Sequence, residues 1–267
     1  MSTTTWVALS FMLLAILTMP IYAIATRRRP VDADVARRPT TFILGTWVRD
    51  WLMWMIGPVE RKFVEWKLSP DLFNYIGGAF GFFAGFAYAQ NELALGGWLI
   101  LFGGLSDIFD GRIARARGIG SNYGEFLDSM LDRFAEMFAF LGIALYFEPT
   151  WWAMSATVLA SGGSMMVSYA RAKGEAVGVD CRGGVMQRAE RLVVLAVASL
   201  LDTPVTTALG WIPGVILLSA VTLIGLGAMG TAVYRTIFIC KALRRMEIEA
   251  ASKAASAAPT TPAPSVA

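Results

Sequence analysis

The sequence predicts an all-α, polytopic membrane protein. Three observations predict it: 56% hydrophobic against 16% charged residues over 267 positions, a mean hydropathy of +0.55, and a series of apolar runs long enough to cross a bilayer as helices. Nine tryptophans, sixteen phenylalanines and seven tyrosines suit lipid-facing surfaces with aromatic anchors at the interfaces.

The first run, Trp6 to Ile24, is read as a retained anchor rather than a cleaved signal, because its charges, Arg27 to Arg29, follow the apolar stretch instead of preceding it. Between Arg27 and Pro70 the stretch "FILGTWVRDWLMWMIGPVERKFVEWKL" interleaves Trp, Leu, Met and Phe with Arg49, Asp50, Glu60, Arg61, Lys62 and Lys67, the pattern of a helix lying in the interface. Six further spans are expected, at Asn74 to Ala89, Leu95 to Ala114, Phe126 to Tyr146, Trp151 to Tyr169, around Leu192 to Leu201, and Ile212 to Cys240. The chain therefore divides into an anchor at 1–30, a juxtamembrane interfacial segment at 31–68, a six-span body at 69–245 and a tail at 246–267. That tail, rich in Ala, Ser, Thr and Pro, is expected to be disordered.

Charge sets the orientation. With the amino terminus outside, nearly every Lys and Arg falls in an inner segment, whereas "QNELALGG", "FEPTWW" and "LDTPVTTALG" carry none. The carboxyl terminus is then inside. Two cysteines, Cys181 and Cys240, make neither a disulfide framework nor a zinc site, and there is no histidine. Acid–base or metal chemistry must therefore rest on carboxylates.

Those carboxylates are concentrated in "LSDIFDGRIARARGIGSNYGEFLDSMLDRF". Asp107 and Asp110 close one span at its cytoplasmic end, Asp128 and Asp132 open the next, and a short loop joins them. Asp107, Asp110, Gly111 and Ala114 share a helix face by steps of three and four, as Gly124, Asp128 and Asp132 do by fours. An aspartate at membrane depth costs about 2.5–3.5 kcal/mol, so the cluster needs positive charge. Oxygen-only ligands suit a hard cation, Mg²⁺ or Mn²⁺, which also accepts substrate phosphates. The simpler reading is a structural ion network with Arg112, Arg115, Arg117 and Arg133. Four carboxylates flanked by Gly111, Ala114 and Gly124, which let a ligand reach the backbone, favour the metal site.

The stretch reads D-x2-D-G-x2-A-R-x8-G-x3-D-x3-D over Asp107, Asp110, Gly111, Ala114, Arg115, Gly124, Asp128 and Asp132, and it resembles the signature of the CDP-alcohol phosphotransferase family at every fixed position. The resemblance extends over about Leu68 to Arg245 and implies a six-helix catalytic core and a homodimer. It implies transfer of a substituted phosphate from a CDP-linked donor, commonly CDP-diacylglycerol, to an alcohol, with release of CMP. Asp107, Asp110 and Asp128 would hold one divalent ion, and Asp132 would serve a second and act as general base. Gly111, Ala114, Arg115, Ser121 and Gly124 would contact the donor, as would Asp71 and Asn74 in "SPDLFNYIGG", where Asn74 replaces the family's usual Thr.

The stretch "SYARAKGEAVGVDCRGGVMQRAERLVV" resembles the phosphatidylinositol-phosphate synthase branch. It implies an acceptor with its own phosphate, inositol 1-phosphate, bound by Lys173, Arg191 and Arg235 together with Arg171 and Arg188. Glycerol 3-phosphate would need the same charges; free inositol is a further alternative. The expected setting is a bacterial-type plasma membrane with the site facing the cytoplasm, and no nucleic-acid partner. An intramembrane prenyltransferase would separate its acidic motifs into repeats, and a transporter would place carboxylates near the midplane. Neither pattern is present.

Overall fold

The computed structural model describes residues 3–26, 30–37, 45–148 and 150–257. Among them the secondary structure is helical throughout, in nine helices: α1 (Thr3–Ala25), α2 (Ala33–Arg37), α3 (Thr46–Glu65), α4 (Pro70–Ala89), α5 (Leu93–Arg117), α6 (Asn122–Tyr146), α7 (Trp151–Ala176), α8 (Arg188–Leu209) and α9 (Val215–Ala257). Six of the seven expected runs each lie within one helix, the seventh, Ile212 to Cys240, begins three residues before α9, and α3 occupies the expected interfacial stretch. By length and composition α4, α5, α8 and α9 can each cross a membrane, and α1 holds a shorter apolar stretch at Leu13–Ala25. Helices α6 and α7 are as long, at 25 and 26 residues, but less apolar. In α6 the reason is plain, since its first fifteen residues carry Glu125, Asp128, Asp132, Arg133 and Glu136.

Residues 246–257 correct the expected disorder of the tail: they continue α9 as helix. The segment "EIEAASKAASA" is made largely of strong helix formers, Ala, Glu and Lys, so the last span propagates beyond its apolar part. The remaining tail, 258–267, lies outside the described residues.

Helix α4 packs closely against both α5 and α6. A Cβ on Gly81 would overlap Ala135, one on Gly85 the carbonyl of Phe138, and one on Gly142 the backbone of Gly85. The small-residue run "GGAFGFFAG" thus brings the α4 and α6 backbones into contact, the usual way helices associate in lipid. Tyr88 lies against Gly96 and shares a 2.8 Å hydrogen bond with Ser199, tying α4 and α5 to α8. Asp202, fully buried, accepts from the amides of Gly214, Ile216 and Leu217 and so fixes the start of α9. Large apolar side chains stay exposed on the outer faces, among them Leu13, Leu14 and Leu17 on α1 and Phe82, Phe83 and Phe86 on α4. A protein in water would not leave such faces bare; a lipid-embedded one does.

Candidate active site

The geometry of the site follows from how α5 ends and α6 begins. Gly118 closes α5 in the left-handed conformation (φ 64°), which a side chain would disfavour, and its amide binds the carbonyl of Arg115. Three residues later Ser121 caps α6, its hydroxyl accepting from the Gly124 amide at 3.1 Å. The connection is therefore four residues long, and the acidic ends of both helices come to one level. Carboxylate oxygens of Asp107, Asp110 and Asp128 lie within 4.8 Å of one another. Three hard oxygen donors so close, with Asp110 buried, could hold a divalent cation.

Asp132, expected among the metal ligands, is not part of that trio. Its Oδ1 is paired with Arg188, whose other terminal nitrogen lies 3.0 Å from Asp107 Oδ2. The guanidinium thus bridges the two helices at the start of α8. A capping box between Gln187 and Glu190 sets the direction of that helix, the Gln187 amide donating to Glu190 at 2.9 Å.

A partly open cavity lies beside the cluster. Its lining includes Asn74, Asp107, Asp128, Asp132, Glu136, Arg188 and Arg191. Asn74 Oδ1 is buried there with no hydrogen-bond partner, an acceptor left for a ligand. Arg191 forks onto Glu136, with Nε–Oε1 at 2.7 Å and Nη2–Oε2 at 2.9 Å, while Nη1 donates to the Met186 carbonyl. Three of its five donors are thereby used and two remain. Asp71 Oδ1 lies 3.7 Å from the position a Cβ on Gly124 would take. The amino ends of α4 and α6 therefore meet.

The other basic residues expected at the acceptor do not line this cavity. Arg235 is buried and spends its guanidinium on two backbone carbonyls, Gly183 at 2.9 Å and Val167 at 2.8 Å, with Arg171 and Arg191 in electrostatic reach. Arg171 pairs with Glu175 one turn on, Arg182 pairs with Asp180, and Lys173 is exposed on α7.

The structural ion network within the motif is absent among the described residues. Arg112 binds Asp32 and Glu60, Arg115 binds Asp34, and Arg117 donates to the carbonyls of Lys67 and Leu68. Arg133 turns back to the Ser129 carbonyl. None of these four is ion-paired to the aspartates; the cation that does pair with the cluster is Arg188, on Asp107 and Asp132. Partial burial pushes the Asp32 carboxyl up, but the hydrogen bonds from Arg112 and the amides of Asp34 and Val35 outweigh this and hold it below its usual range.

Sequence reasoning missed Glu136 and the acidic segment at Asp32 and Asp34. Glu136 was detectable, since it extends the row of Gly124, Asp128 and Asp132 by another four residues. The partners of Arg112 lie 52 and 80 residues away, and no local spacing reveals them.

Known proteins resemble this chain in sequence and in fold. The sequence profile described as CDP-alcohol phosphatidyltransferase matches residues 67–223. A phosphatidylinositol phosphate synthase of Cutibacterium acnes is 37% identical over 151 residues, 54% of this chain and 72% of that one. An archaetidylinositol phosphate synthase of Methanothermobacter thermautotrophicus is 32% identical over 148 residues, 54% and 74% of the two chains. Among solved structures, the Mycobacterium tuberculosis phosphatidylinositol phosphate synthase in complex with manganese and citrate superposes with a TM-score of 0.61 at 26% identity, covering 68% of this chain and 87% of that one.

Proposed function

The chain belongs to the CDP-alcohol phosphatidyltransferase family, and from that premise we propose that it is a phosphatidylinositol-phosphate synthase that uses inositol 1-phosphate as acceptor. The coarser statement stands without the proposal: it is an integral membrane, divalent-metal-dependent transferase that moves a phosphatidyl group from CDP-diacylglycerol to an alcohol and releases CMP. The observation that carries the proposal is the single cavity in which Asp107, Asp128 and Asp132 face Arg188 and Arg191. Anionic donor and anionic acceptor each find their counter-charge there. Two relatives whose names differ in the lipid portion share the inositol phosphate head group, which supports the same acceptor here.

Asp107, Asp110 and Asp128 would hold one Mg²⁺ or Mn²⁺ and Asp132 would share a second. Bound there, such ions would neutralise the diphosphate charge and stabilise the leaving CMP. The protein's own groups do the rest. Asp71 and the orphaned Asn74 Oδ1 receive the cytidine, Gly111, Ala114 and Gly124 leave the backbone bare beside it, and Arg115 and Ser121 hold the phosphates. The Ser121 hydroxyl caps α6 as an acceptor and still has a proton to donate. Arg191 offers its two remaining donors to the acceptor phosphate, Arg188 adds charge at the cavity wall, and Lys173, Arg171 and Arg235 contribute positive potential around it. Asp132, held at Oδ1 by Arg188, takes the acceptor hydroxyl proton on Oδ2 as that oxygen attacks the phosphorus bearing the lipid. The basic inner segments favour a site open to the cytoplasm of a bacterial-type plasma membrane, with the amino terminus outside, and the enzyme works as a homodimer.

The acceptor is tested with purified protein, CDP-diacylglycerol and Mg²⁺ or Mn²⁺ against inositol 1-phosphate, inositol, glycerol 3-phosphate and serine. CMP release with inositol 1-phosphate, yielding a lipid that retains its phosphomonoester, is the expected result. Release only with another alcohol would overturn the acceptor assignment and leave the reaction class intact.

A further inference from the structure

Outside the region that matches the family, the amino-terminal segment delivers a carboxylate to the donor side of the site. Asp32 and Glu60 clamp Arg112, the first through two 3.2 Å hydrogen bonds and the second at 2.6 Å, and these three side chains are only 14–15% exposed. Asp32 is itself fixed, since its amide donates to Asp50 Oδ1 at 2.7 Å and its Oδ1 accepts from the Asp34 amide at 3.0 Å. Asp34 is thereby set in place without depending on its own side chain. Its Oδ2 lies 3.0 Å from Arg115 Nη2 and 3.6 Å from Arg112. Arg115 in turn lies along bare backbone, its Nη1 3.1 Å from where a Cβ on Gly111 would stand. Asp107, Gly111 and Arg115 are successive members of one i, i+4 row, and side chains in a helix lean toward its amino end, here toward the carboxylate cluster.

We propose that Asp34 is an affinity-setting residue for the donor: its carboxylate occupies Arg115 when no donor is bound and gives up that guanidinium to the donor diphosphate. This rests on Arg115 being a donor-phosphate ligand. The exposure gradient supplies the physical reason. The inner clamp at Arg112 is sheltered, whereas the Asp34–Arg115 pair is 28% and 46% exposed. A wet ion pair of that kind contributes little and is screened by salt. A diphosphate brings more charge to the same nitrogens and displaces the carboxylate, so donor binding bears the loss of that one contact. The extra segment thus weakens donor binding without entering the chemistry.

The test is CMP-release kinetics with CDP-diacylglycerol as the varied substrate. Asp34→Asn should lower the donor KM about two- to fivefold with kcat unchanged, the signature of a ground-state competitor removed. The gap from wild type should narrow as salt rises. Asp34→Ser serves as a second neutral variant should the first fold poorly. Arg115→Gln should raise the donor KM, and adding Asp34→Asn to it should change nothing further, because the two effects share one contact. An unchanged or raised donor KM in both Asp34 variants, with Arg115→Gln still impaired, would overturn the inference alone. A normal donor KM in Arg115→Gln would overturn it together with the role given to Arg115.

Discussion

Arg191 and Glu136 form the most enclosed ion pair of the molecule among the described residues, with side chains 2% and 5% exposed. Such a pair costs a good deal of desolvation, and breaking it from one side leaves an uncompensated charge. Glu136→Ala is therefore expected to destabilise the protein by about 3–5 kcal/mol, read as a lower melting temperature in detergent. The double change Glu136→Met with Arg191→Leu should restore much of that stability while leaving the acceptor KM raised. Recovery of both stability and acceptor affinity would show that the pair serves the fold alone. At this scale the sequence was most informative where residues act through local spacing. The four aspartates were legible because they sit three and four residues apart on helices joined by a short loop. Arg188 was legible as a cation but not as the partner of Asp107 and Asp132, because that pairing depends on how α8 is tilted by its own capping box.

Helices α4 and α6 are held together by backbone rather than by side-chain bulk, and that closeness sets the cavity beside Asp128 and Asp132. Gly85→Val would drive a branched side chain into the Phe138 carbonyl. The expected outcome is helix separation, about 1–3 kcal/mol or more of lost stability and turnover reduced well beyond what the remaining folded fraction explains. Gly162, which has open space at its Cβ position on α7, is the control, and Gly162→Ala should leave both quantities near wild type. Asp202 works at the same scale. Removing its carboxylate by Asp202→Ala strands three amides at the start of α9, at a cost of about 1–3 kcal/mol, measurable as earlier melting with site chemistry intact. Helix positions were readable from apolar runs because the bilayer fixes their length. The extension of α9 to Ala257 was not, since a short Ala- and Ser-rich stretch reads as linker until the helix before it has supplied the nucleus.

Among the described residues α1 and α4 to α9 make up seven long helices, and the segment of α2 and α3 is drawn to the carboxyl end of α5 by Arg112. Tyr22 and Asp50, and Trp51 with Thr18 at 2.9 Å, bind α1 to α3, so both helices are joined to each other as well as to α5. None of these long-range pairings has a local signature, and the sequence therefore showed the parts without their assembly. What it did convey is the chemical logic of the whole: a chain with no histidine that gathers four carboxylates at the adjoining ends of two helices suits hard cations and anionic substrates. Chelation of divalent ions should accordingly abolish CMP release, and Mn²⁺ or Mg²⁺ should restore it. The most direct test of the central claim combines CMP release, Mn²⁺ binding and donor binding in Asp132→Asn and Asp128→Asn. Asp132→Asn is predicted to bind CDP-diacylglycerol and the Mn²⁺ held by Asp107, Asp110 and Asp128 while losing about 10²–10⁴ in turnover, and Asp128→Asn to lose that metal and turnover together. Near-normal turnover in Asp132→Asn, or unimpaired Mn²⁺ binding in Asp128→Asn, would contradict it.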